Sequence, residues 1–129
     1  MTNLAAFPDA EIELLGVLGS KFSSYRFCTS LPAQITQTTA RIKRISGANR
    51  NIGWDRPIVD IDVFSPTGEA DASTAGRAIQ AALLSLAGTT TTNGVIQRVA
   101  TINGPRWLPT DNQSIIRYGA TYEVFIRAS

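Results

Sequence analysis

Ile58-Val59-Asp60-Ile61-Asp62-Val63-Phe64 is followed by the breaker Ser65-Pro66-Thr67-Gly68 and then by an alanine-rich run that ends at Leu86. Hydrophobicity changes period inside this stretch, and the change decides the fold. In the first part Val59, Ile61 and Val63 alternate with Asp60 and Asp62, the two-residue period of a half-buried strand. In the second part Ala72, Ala75, Ile79, Ala82, Leu83 and Leu86 recur at helical spacing. That predicts a helix from about Asp71 to Leu86, with Gly88 as its stop signal. The small residues early in the stripe let this helix lie close to a sheet. Thr89 to Asn93 reads as a polar tether, and Val95 to Ile102 as the next strand. The strand, helix, strand unit makes a right-handed crossover if its two strands are parallel neighbours.

Toward the N-terminus, Asp9 caps a helix predicted over Ala10 to Lys21, with Glu11 and Glu13 at the positive end of its dipole. Ile12, Leu15, Leu18 and Phe22 form its apolar stripe, with Leu14 and Val17 off it. Ser24 to Thr29 suits a short strand and Ala40 to Ile45 a polar-edged one. Gly47 to Pro57 is the longest polar connection and carries Trp54. Toward the C-terminus, Gly104-Pro105-Arg106-Trp107-Leu108-Pro109-Thr110-Asp111-Asn112 reads as a stiff connection. It leads to a last strand from about Ser114 to Arg127. There Tyr118, Ala120, Tyr122, Val124 and Ile126 share one face, and Arg117, Thr121, Glu123, Phe125 and Arg127 the other. Asp60 and Asp62 can meet Arg117 or Arg127 across strands. The expected architecture is α/β of the α+β kind: one domain over residues 1–129, a mixed sheet of four to five strands, and two helices packed on one face. The element order is α-β-β-β-α-β-β.

Composition removes most chemistry. The chain of 129 residues has no histidine and one cysteine, Cys28. The usual general base, the His-activated nucleophiles and His/Cys zinc sites are therefore absent, as is an intrachain disulfide. Cys28 reads as a small core residue in a strand. Asp60 and Asp62 are the one candidate pair for a hard cation such as Mg²⁺. No third carboxylate or phosphate-binding motif accompanies them, so arginine pairing is the simpler role. No catalytic residue, cofactor or metal is expected. Twelve basic residues against ten acidic ones leave +2, too small an excess to mark a nucleic-acid reader. Arg41, Lys43, Arg44, Arg50 and Arg56 make a modest basic region, suited to a soluble strand edge and loop, or else to contact with a nucleic-acid backbone or an acidic partner surface. No apolar run reaches membrane-spanning length, and Met1 to Pro8 lacks the pattern of a signal peptide; a cytosolic, soluble protein is expected.

What remains is contact. Trp107 beside Arg106 suits an interface anchor, or a lid over one end of the core. Trp54, with polar neighbours on both sides, has little core to enter. The combination of Asp60-Ile61-Asp62-Val63-Phe64, the Ala72 to Leu86 helix, Val95-Ile96-Gln97-Arg98-Val99, the Gly104 to Asn112 segment and Arg117-Tyr118-Gly119-Ala120-Thr121-Tyr122-Glu123-Val124 resembles tail terminator proteins (tail completion or minor tail proteins) of long-tailed bacteriophages. The resemblance covers most of the chain and is strongest from Ile58 to Arg127.

That resemblance implies a non-enzymatic virion protein of the tail or neck, assembled in the host cytoplasm. It implies a homo-hexameric ring that caps the tail tube, stops its growth and joins the tail to a head connector or stopper protein. DNA passes through the ring without being read, and a near-neutral chain suits such a passage. The neighbouring alternative is a head-tail adaptor bound to the connector. Carried over by position, Arg106, Trp107, Pro109, Asp111, Arg117 and Tyr118 are implied subunit or tail-tube contacts. Trp54 and Arg56 join them on the sequence argument alone.

Overall fold

The computed structural model describes residues 7–49 and 54–128. Helix α1 spans Ala10–Lys21, followed by strands β1 (Arg26–Cys28), β2 (Thr39–Asn49) and β3 (Trp54–Ser65). Helix α2 is Glu69–Leu84, and β4 (Thr89–Thr90), β5 (Gly94–Leu108) and β6 (Ile116–Ala128) complete the order. The fold is α+β: one mixed sheet in the order β1-β2-β3-β6-β5-β4. β1 runs parallel to β2, and every other pair is antiparallel.

Alternation places Val59, Ile61 and Val63 of β3 on the same side as Ala120, Tyr122, Val124 and Ile126 of β6. There they join Leu14 and Leu18 of α1 and Ala75, Ile79 and Leu83 of α2 in one buried cluster. Both helices therefore cover one face of the sheet, α1 over β1 and β2, α2 over β3, β6 and β5. Each fully buried aliphatic side chain here is worth roughly 1.5–3 kcal/mol of transfer free energy. Gly76 lets α2 approach: a Cβ there would lie 3.2 Å from Pro105 of β5.

Several expectations are corrected. The sheet has six strands rather than four or five, because Thr89–Thr90, within the expected tether, pairs with Val95 and Ile96. β3 and β5 are not neighbours: β6 inserts between them, so α2 crosses over an intervening strand. The Gly47 to Pro57 connection is largely strand, since β2 continues to Asn49 and β3 begins at Trp54; its Arg50 to Gly53 lie outside the described residues. Gly47 fits the ladder at φ +105°, close against the backbone of Arg56 and Pro57. The Gly104 to Leu108 segment is also strand, with Arg106, Trp107 and Leu108 paired to Gly119, Tyr118 and Arg117. Register shifts between Thr101, Asn103 and Arg106 absorb Gly104 and Pro105, as bulges do on an edge.

In α1 the buried line is Ala10, Leu14 and Leu18 with Glu13, while Ile12 is 54 % exposed. The expected stripe was rotated because Glu13 turns inward. Its carboxylate accepts bonds from the Thr91 hydroxyl (2.6 Å) and the Asn93 amide (2.7 Å), which tie α1 to the turn before β5. Helix α2 starts two residues before the expected Asp71. There Asp71 accepts bonds from the Thr38 and Ser65 hydroxyls, which hold its carboxyl below the ordinary value of 3.8.

Candidate interaction surface

The face of the sheet opposite the helices carries the chain's densest polar chemistry. Cross-strand register sets Arg41 beside Asp62 and Lys43 beside Asp60 between β2 and β3. It sets Asp60 beside Thr121 and Phe64 beside Arg117 between β3 and β6. Asp62, only 4 % exposed, accepts from Arg41 (2.8 Å) and Arg117 (3.0 Å), and Asp60 accepts from the Thr121 hydroxyl (2.6 Å). The two aspartates are thus engaged by arginine and threonine, and among the described residues no group of three acidic, His or Cys side chains is placed to hold a metal ion. Arg56 pairs with Glu123.

Guanidinium groups roof the rings on this face. Arg41 and Arg117 stand 5.4 and 5.8 Å from the Phe64 centroid. Arg56 and Arg98 stand 5.0 and 4.3 Å from that of Phe125, and Arg127 5.7 Å from that of Trp54. Stacking and ion pairing preorganise these planar cations. Gly119 lies under the cluster because a Cβ there would run into Asp62 and Leu108.

The cross-strand pairing of aspartate with arginine expected from the sequence is present for Asp62 with Arg117. Arg127 stacks on Trp54, and Asp60 bonds Thr121. Sequence reasoning placed Phe125 and Arg127 on this face of the last strand but missed Arg98. Only the pairing of β5 with β6 sets Arg98 opposite Phe125.

At the end of the sheet where β3 stops, a cleft of about 810 Å³ opens between segment 31–36 and the turn after β5. Pro109 and Asp111 line it together with Arg41, Phe64 and Arg117. The turn is braced locally: the Thr110 hydroxyl donates to the carbonyls of Asn112 and Ile115, and Ser114 bonds the Asn112 side chain. Three sequence-selected residues, Pro109, Asp111 and Arg117, therefore meet in one cleft. Arg106 sits on the same open face, reaching the Gly119 carbonyl at 3.5 Å.

Trp54 and Arg56 share that open face at its other end, Trp54 being ten residues along β3 from Phe64, roughly 33 Å away at strand rise. Trp107 and Tyr118 are on the helix side. Trp107 is 56 % exposed at the sheet end. The Tyr118 hydroxyl donates to Glu69 of α2, and that bond holds its pKa above the ordinary value. Trp54 is half-buried in β3, so Trp107 is the more open of the two indoles. Cys28 is half-buried in β1, and burial pushes its thiol upward despite Arg26 and Arg41 nearby, which disfavours the reactive thiolate. None of the described helices is long and apolar enough to cross a membrane.

No protein-family profile matches the chain, and no curated protein matches it in sequence. Among solved structures the chain is similar to one from the virion of a native gene transfer agent particle. The TM-score is 0.63 at 16 % identity, over 92 % of this chain and 86 % of that one. At that identity the shared property is the fold.

Proposed function

We propose that this chain is a structural protein of a phage-like virion, and that it forms the ring capping a tail tube at the neck. In this reading it is a homo-hexamer that stops tube growth and joins the tail to the head connector or stopper, and it performs no catalysis. The observation that carries the reading is the fold likeness to a gene transfer agent virion chain over nearly the whole length, on a sequence that resembles tail terminators. Two features of the molecule suit it. The outer edge of β5 beyond Ile96 is unpaired among the described residues, and closed assembly is one way to cover such an edge. Arg106, Trp107, Pro109, Asp111, Arg117 and Tyr118 cluster around the β5–β6 end and its turn, and serve as the subunit or tube contacts, with Trp54 and Arg56 on a second contact.

The test is loss of the chain from the particle that encodes it. Tails of uncontrolled length, unable to join heads, are expected. Tails of normal length purified without this chain would sink the proposal. A ring seen by electron microscopy on the connector, with tube length unaffected by its loss, would make it an adaptor instead.

A further inference from the structure

We infer that the helix-free face of the sheet is a sequence-independent binding surface for the phosphate backbone of duplex DNA. The near-neutral net charge of the chain conceals a strong segregation. The five ring-stacked arginines lie on this face, and register adds Arg26, Lys43 and Arg106. Among the described residues, Asp60, Asp62 and Glu123 oppose these eight cations on the face, with Asp111 at its edge in the cleft. The other described cations, Lys21, Arg44 and Arg77, share the rest of the molecule with six carboxylates. One face is therefore basic and the remainder acidic, although the whole chain is only +2.

The partner follows from charge, ring occupancy and size. Single-stranded nucleic acid is held by bare aromatic platforms, but Phe64, Phe125 and Trp54 each already carry a guanidinium. What the face offers outward is N–H donors on preorganised cations, which suit phosphate oxygens and carry no base readout. With β1 and β4 at opposite ends, up to five strands lie side by side; at a spacing of about 4.8 Å the face is roughly 19 Å across, wide enough for several phosphates of a duplex with one charge per about 1.7 Å of axis. The inference goes beyond the ring reading and does not require it, since the free chain already has the surface.

The test is fluorescence anisotropy of a labelled random-sequence duplex with the full chain, titrated over a range of salt. The expected result is binding at low salt that weakens linearly in log–log form, with no preference among sequences. Lys43, Arg98 and Arg106 are exposed and make no ion pair among the described residues. Lys43→Gln/Arg98→Gln/Arg106→Gln is expected to bind at least about tenfold more weakly, with a salt slope shallower by about 1 per cation removed. Lys21→Gln/Arg77→Gln, on the helix side, is expected to bind as the parent does. Circular dichroism and urea midpoints verify that both variants are folded. No binding at low salt, or equal binding by the triple variant, overturns the inference. If the triple variant keeps duplex affinity but fails to enter particles, the face meets an acidic protein surface instead. Duplex binding is read on the free chain and tail length on particles, so either proposal can fail alone.

Discussion

Single residues set where this chain is rigid. Glu13 is 3 % exposed and bonds Thr91 and Asn93. Glu13→Ala leaves those donors unmet, and a loss of about 2–3 kcal/mol is expected in urea unfolding, with an unchanged m-value. Gly68 caps α2 with no side-chain bond and φ +138°. Aspartate is ordinarily a good N-cap residue, yet Gly68→Asp is expected to cost about 1–3 kcal/mol, because backbone strain at that φ outweighs the cap. Asp71 supplies the pH dependence. Its pKa is lowered by the Thr38 and Ser65 hydroxyls, so its contribution is present above the ordinary carboxylate value and fades as pH falls through the lower folded one. Asp71→Asn is expected to be less stable than the parent at pH 7 and to approach it in acid, as equilibrium unfolding at each pH will register. Of these three residues, Glu13 and Asp71 were visible in the sequence only as helix-start acids. The partners of Glu13, and Thr38 beside Asp71, lie far along the chain, and no local pattern encodes them.

At the scale of elements, legibility followed locality. β3 and α2 were recognisable because alternation and helical spacing are properties of a short window. β5 was cut short at Ile102 because proline and glycine ordinarily end a strand. The structure carries it to Leu108 by placing Gly104 and Pro105 in an irregular stretch at an edge with no further partner among the described residues. Trp107 consequently projects from a strand, not from a loop. At 56 % exposure it contributes little to the fold, so Trp107→Ala is expected to change stability by less than about 0.5 kcal/mol. The same variant is expected to impair incorporation into particles. A large loss of stability would make Trp107 a lid over the core rather than an anchor.

At the scale of the molecule, α2 lies across β3, β6 and β5, and α1 is tied to the turn before β5 through Glu13. Long-range ties of this kind couple the N-terminal helix to the C-terminal half. We expect one cooperative unit: indole fluorescence and far-UV circular dichroism are to trace a single urea transition, whereas two separated transitions would mean separable domains. The amino-acid sequence by itself determined the α+β class, both helices and the buried faces of β3 and β6, since side-chain period and burial are encoded within a few residues. Only tertiary structure decided that β6 separates β3 from β5, which cations meet Asp62, Phe64 and Phe125, and that the charges sort onto one face. Those depend on strand order and register, which are set by the joint packing of segments distant in the chain.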